Sequence, residues 1–65
     1  MKSIGESVTQ AMNLQKKGVK ETAERLNMSV NAITSIRKDR NYTKVNLDKL
    51  LKDLGLEILI KQIQY

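Results

Sequence analysis

The chain has no cysteine, histidine, proline, tryptophan or phenylalanine, and its only aromatic residues are two tyrosines. Without Cys there is no disulfide, and without Cys or His there is no thiolate or imidazole to hold zinc, haem or an iron–sulfur cluster. The same two absences remove the commonest general base and the most readily activated nucleophile. Carboxylates remain, but Glu6, Glu21, Glu24, Asp39, Asp48, Asp53 and Glu57 are scattered along the chain, most of them beside Lys, Arg or a hydroxyl residue as on a solvated face. The expectation is a protein that is not an enzyme and holds neither metal nor cofactor.

Long hydrophobic runs are missing too. No apolar stretch approaches the ~20 residues that span a bilayer, and Met1 to Gly5 lacks the charged and apolar regions of a signal peptide. A soluble, cytoplasmic protein with no membrane partner is expected. With 65 residues the chain is one domain, covering 1–65. A core of that size buries only about 60% of the surface of the unfolded chain, and such domains usually rely on disulfides, a metal or oligomerisation. The first two are excluded by composition, so self-association is the support left.

What is present is basic charge. Twelve Lys and Arg stand against seven Asp and Glu, a formal net charge of +5. In residues 1–15, Lys2 and Glu6 cancel, and in residues 45–65 Lys49, Lys52 and Lys61 cancel Asp48, Asp53 and Glu57. The whole excess therefore lies in residues 16–44, where Lys16, Lys17, Lys20, Arg25, Arg37, Lys38, Arg40 and Lys44 outnumber Glu21, Glu24 and Asp39. An excess concentrated in this way is the mark of a surface that meets a polyanion.

The spacing of apolar residues predicts four short helices. Ser3 and Glu6 have the separation of a capping box, and Ile4, Val8, Ala11 and Met12 form one stripe behind it, so a first helix is expected over about 4 to 16, closed by Lys16, Lys17 and Gly18. Val19, Thr22, Ala23 and Leu26 recur at helical spacing and stop at Asn27, a residue that tolerates the left-handed conformation of a tight exit. Ser29 offers an N-cap to a third helix over 30–37, with Met28, Ala32, Ile33 and Ile36 on its buried side. After a polar loop from Asp39 to Thr43, Asn46 is expected to cap a fourth helix carrying Leu47, Leu50, Leu51 and Leu54, ended by Gly55.

The ending from Leu56 to Tyr65 has two readings. Apolar and polar residues alternate at its start, but Leu56, Leu59, Ile60 and Ile63 also fit a helix; three isoleucines and the glycine boundary favour a strand. A lone strand at a chain end must find a partner for its backbone groups, and its twin in a second copy is the simplest. Leu56, Ile58 and Ile60 would then cover the helices while Leu59, Ile63 and Tyr65 line the other side, making the segment from about 56 to 64 a homodimerisation element.

The segment from Gly18 to Lys38 thus reads as helix, tight turn through Asn27, helix. With Ala23 as the small residue at the helix crossing and Leu26, Met28, Ile33 and Ile36 as apolar locks, it resembles the Cro/C1-type (XRE) helix-turn-helix family. The run Gly18-Val19-Lys20-Glu21-Thr22-Ala23-Glu24-Arg25-Leu26 and the pair Ala32-Ile33 are similar to phage Cro proteins, although Thr22 stands at a position usually apolar there and Asn27 where glycine is usual. The leucine-rich fourth helix followed by Leu56-Glu57-Ile58-Leu59-Ile60 is similar to HipB-like antitoxin repressors, whose C-terminal strands pair across a dimer.

The resemblance implies a mainly α fold of lambda repressor-like type plus a C-terminal strand, and a DNA-binding role. The third helix would lie in the major groove, with Ser29, Val30, Asn31, Thr34, Ser35 and Lys38 at the family's base-reading positions. Asn31 suits adenine, Ser35 and Thr34 can bond several bases, Val30 can press on a thymine methyl, and Lys38 reaches guanine or phosphate. Phosphate contacts are expected from Lys16, Lys17, Lys20, Arg37, Arg40, Asn41, Tyr42, Thr43 and Lys44. The leading expectation is a dimeric transcriptional repressor, nucleoid-associated, on a palindromic double-stranded operator. An antitoxin with a toxin protein as partner is the first alternative, and a basic protein- or membrane-surface module that leaves DNA alone is the second.

Overall fold

The computed structural model describes residues 3–56, which form four helices and no strand: α1 (Ile4–Leu14), α2 (Val19–Leu26), α3 (Val30–Arg37) and α4 (Lys44–Asp53). None of the four is long and apolar enough to cross a membrane. The expected strand from residue 57 onward, with Ile58, Leu59, Ile60, Ile63 and Tyr65, lies outside the described residues.

Three of the helix starts are fixed by a hydroxyl. Ser3 Oγ accepts from Glu6 N at 3.1 Å, Ser29 Oγ from Ala32 N at 3.0 Å, and Thr43 Oγ1 from Asn46 N at 3.2 Å. Each occupies one of the N–H groups that a first turn leaves without an intrahelical acceptor. The cap of α4 is thus Thr43 rather than Asn46, and the helix begins three residues before the leucine stripe. Its first turn holds Lys44 and the exposed Val45, so apolar periodicity does not mark it. Gly18 starts α2 with no side-chain cap.

All four helices end in one arrangement. A residue with φ between 55° and 75° follows the last turn: Lys16, Asn27, Asp39 and Gly55. In each case the next residue's N–H reaches back to the carbonyl five before it: Lys17 to Met12, Met28 to Ala23, Arg40 to Ser35 and Leu56 to Leu51, at 2.8 to 2.9 Å. These are Schellman closures, which satisfy carbonyls the helix end would otherwise strand. α1 consequently stops at Leu14, not 16, and its left-handed residue is Lys16. Gly18, expected to close α1, is extended instead. Asn27 and Gly55 take the roles their residue types suggest. Leu56 belongs to the closure of α4 and packs on the core.

The core is Val8, Ala11 and Met12 of α1, Ala23 of α2, Ile33 and Ile36 of α3, and Leu47, Leu50, Leu51 and Leu54 from α4 and its cap. Ile4, Val19, Leu26, Met28 and Leu56 cover its edges. α3 is the central element, packed against α1, α2 and α4. Its approach to α1 is tight at Gly5, where a Cβ would stand 2.5 Å from the Arg37 carbonyl oxygen and 2.7 Å from Asp39 Oδ2. Glycine is needed there for space, even though it costs a helix interior about 1 kcal/mol relative to alanine. Thr22 is the one buried polar side chain among the described residues, and its Oγ1 has no hydrogen-bond partner there.

Candidate nucleic-acid interface

α2 and α3 are joined by Asn27, Met28 and Ser29. The left-handed Asn27, with φ 56° and ψ 47°, reverses the chain in one residue. Met28 then drops onto the core and Ser29 opens the next helix. At about 100° per residue, Ile33 and Ile36 point inward, Asn31, Ser35 and Lys38 lie on the far side, and Thr34 and Val30 adjoin them. Asn31 and Lys38 are exposed, as is Val30 at 46%, while Thr34 and Ser35 are half-buried. Four of the six expected base-reading residues therefore share an outward surface of one eight-residue helix, and a fifth, Lys38, continues it at the C-cap. The sixth, Ser29, sits at its N-terminus with its hydroxyl oxygen engaged in capping.

The expected phosphate-binding cations divide into two groups. Lys16, Lys20, Arg40 and Lys44 are exposed, along with Asn41, Tyr42 and Thr43 of the loop before α4. Lys17 and Arg37 are drawn inward. Lys17 Nζ donates to the Asp53 carbonyl oxygen at 2.9 Å and lies 3.4 Å from Asp53 Oδ2. Asp53 also receives Arg25, whose Nε and Nη2 reach its two carboxylate oxygens at 3.2 and 2.5 Å. The Arg25 fork, together with Lys17, holds the Asp53 carboxyl below the usual carboxylate range against the opposing effect of burial. Two of the eight cations in the basic middle of the sequence thus fasten the end of α4 to α2 and to the α1–α2 turn. Gln15 adds a third tie there, donating from Nε2 to the Leu54 carbonyl oxygen at 2.8 Å.

Arg37 turns toward α1 and donates from Nε to Thr9 Oγ1 at 3.2 Å. Thr9, Thr34, Arg37 and Lys38 line a cleft of about 340 Å³ between α1 and α3. Thr9 was not foreseen from sequence: it is 28 positions from Arg37, and no local pattern marks such a contact. A broader groove along α1 shares Thr9 and Arg37 with this cleft and is lined in addition by Glu6, Gln10, Asn13 and the 75% exposed Leu14. No cluster of three or more His, Cys, Asp or Glu gathers among the described residues.

Comparison with protein-family models, with curated proteins and with solved structures finds no match. Among the described residues the architecture is a small all-helical fold, compatible with a helix-turn-helix protein.

Proposed function

We propose that the chain is a sequence-specific double-stranded DNA-binding regulator of Cro/C1-type, acting by binding rather than catalysis and repressing transcription by occupying a palindromic operator as a homodimer. One coincidence carries the reading. The pair α2 and α3, joined by a three-residue turn, falls in the stretch that holds all of the net charge, and α3 turns short polar side chains and one lysine outward between exposed cations. Charge supplies the sequence-independent attraction to phosphates, while Val30, Asn31, Thr34, Ser35 and Lys38 offer the contacts that discriminate base edges.

Homodimerisation through residues 56–65 belongs to the same reading. A single short helix reads too few base pairs to pick a site among the ~10⁶ or more competing positions of a genome. Two copies would place half-sites about one helical turn, roughly 34 Å, apart. The protein would work in the cytoplasm, on the nucleoid.

Selection from random duplexes tests the proposal, with a palindromic consensus at that spacing as the expected result. A dimer making roughly 8 phosphate contacts should also lose several decades of affinity between low and moderate salt. A pool with no enriched sequence together with a flat salt response overturns the reading.

A further inference from the structure

We infer that the cleft between α1 and α3 is a subsite for one phosphodiester group of a nucleic-acid backbone, built by Arg37 and Lys38 with the hydroxyls of Thr9 and Thr34. The inference rests on the DNA-binding reading and adds to it a first-helix contact that the helix-turn-helix residues alone do not contain. It also moves Thr34 and Lys38 from base edges to the backbone.

Four features support it. Arg37 is half-buried and its guanidinium is oriented before any ligand arrives, because Nε is tied to Thr9 Oγ1. Its terminal nitrogens have no acceptor among the described residues, so the planar fork that suits a phosphate remains to be satisfied. Lys38 supplies a second charge one residue on, and Thr9 and Thr34 bring hydroxyl donors from the two walls. The volume, about 340 Å³, equals that of roughly ten liquid waters at about 30 Å³ each, room for a hydrated phosphate group.

The nearby carboxylates do not close the cleft. Asp39, the next residue after Lys38, accepts from Gly5 N at 2.8 Å. Glu6 lines the adjoining groove that Arg37 and Thr9 share, but it is exposed and makes no ion pair with Arg37. The cleft also opens beside the outward surface of α3, since Thr34 and Lys38 belong to both. A duplex lying against α3 would bring its backbone past this opening.

Salt titration of binding to a mixed-sequence duplex, followed by fluorescence anisotropy, tests the assignment. Arg37→Met and Lys38→Met should each make the log–log salt slope shallower, the double variant by about 0.9 per bound protomer, and weaken all duplexes alike. Thr9→Val should weaken binding severalfold with a smaller change in slope, since it removes a positioning contact and no charge. Lys49→Met, on the exposed side of α4, should leave slope and affinity unchanged. Lys38 is exposed, so its variant reports on the site even if Arg37→Met fails to fold.

A steep wild-type slope that neither Arg37→Met nor Lys38→Met alters overturns the subsite and leaves DNA binding standing. A wild-type protein that does not bind the duplex overturns both. Inorganic phosphate that shifts the Thr9, Arg37 and Lys38 amide resonances, in a protein whose duplex binding ignores those residues, makes the cleft a small-anion site and overturns the diester assignment.

Discussion

The backbone N–H of Gly5 donates to Asp39 Oδ1 at 2.8 Å, so the residue that reverses the chain after α3 also closes the first turn of α1. Ser3 takes the N–H of Glu6 and Asp39 takes that of Gly5, placing a hydroxyl and a carboxylate at the positive end of one helix. The contact with Asp39 requires the start of α1 and the end of α3 to meet without a side chain between them, which is what Gly5 permits.

Substitution of Gly5 by Ala therefore puts helix propensity and packing in opposition. Alanine would favour the helix by about 1 kcal/mol. Its Cβ, however, would meet the Arg37 carbonyl, a backbone atom that cannot swing aside. Overpacking of this kind costs about 1–3 kcal/mol. Gly5→Ala should lower the midpoint of urea unfolding, and a midpoint at or above wild type would refute the packing account.

Lys16 and Asp39 share a left-handed backbone but should respond in opposite ways to glycine. At Lys16, which is exposed and extends the closure of α1, Lys16→Gly relieves a backbone cost of about 1 kcal/mol and should be neutral to stabilising. At Asp39 the same relief comes with loss of the bond to Gly5, leaving a first-turn N–H without its carboxylate; Asp39→Gly should destabilise by about 1 kcal/mol. Paired thermal melts of the two variants decide whether the Asp39 carboxylate matters for stability.

Thr22 buries a hydroxyl with no partner among the described residues at a site where only shape is used. Valine has nearly the same volume and similar helix propensity, so Thr22→Val removes an unsatisfied polar group without opening a cavity. A gain of about 1 kcal/mol is expected, which for a domain this small raises Tm by roughly 4–8 °C. Calorimetry showing a lower Tm would mean that the hydroxyl is satisfied in solution.

Asp53 gives the fold an acid-sensitive fastening. Its carboxyl titrates below the usual range because the Arg25 guanidinium, and then the Lys17 ammonium, favour its charged form. A folded-state value below the unfolded one means that the stabilisation is complete above the unfolded value, about 3.9, and is lost as pH falls through the folded one. Wild-type stability should drop on acidification in that window. Asp53→Asn should start lower at neutral pH and show a flatter profile, measured as urea midpoint against pH.

On the DNA-binding reading, Asn31→Ala should relax base preference at one position of each half-site while leaving the unfolding free energy within about 0.5 kcal/mol of wild type, as for an exposed position away from the core. An unchanged consensus from random-duplex selection would remove Asn31 from the reading set.

The bounds of α3, the reversal at Asn27 and the closing role of Gly55 were legible in the sequence because each depends on neighbours a few residues away. Boundaries without a side-chain signature were not. Lys16 takes a left-handed conformation for which lysine has no preference, so the glycine two positions later drew the end of α1 too far. Thr43 and Asn46 are both good caps, and the exposed first turn of α4 hides which one is used. Within the site, the outward positions of α3 followed from the period of the helix. The capture of Lys17 and Arg25 by Asp53, 36 and 28 residues away, and of Arg37 by Thr9, could not be read locally. Charge counted along the sequence therefore overstates what is left for a ligand, since Lys17 and Arg25 are engaged by Asp53.

α3 carries its two buried isoleucines and its outward polar residues on opposite sides of the same eight residues. Replacements at Val30, Asn31 or Ser35 leave Ile33 and Ile36 seated and the contacts with three neighbouring helices in place. If these outward residues do read DNA, lineages carrying this fold can be retargeted from one operator to another by drift on one surface, with little selection needed to restore the scaffold after each step.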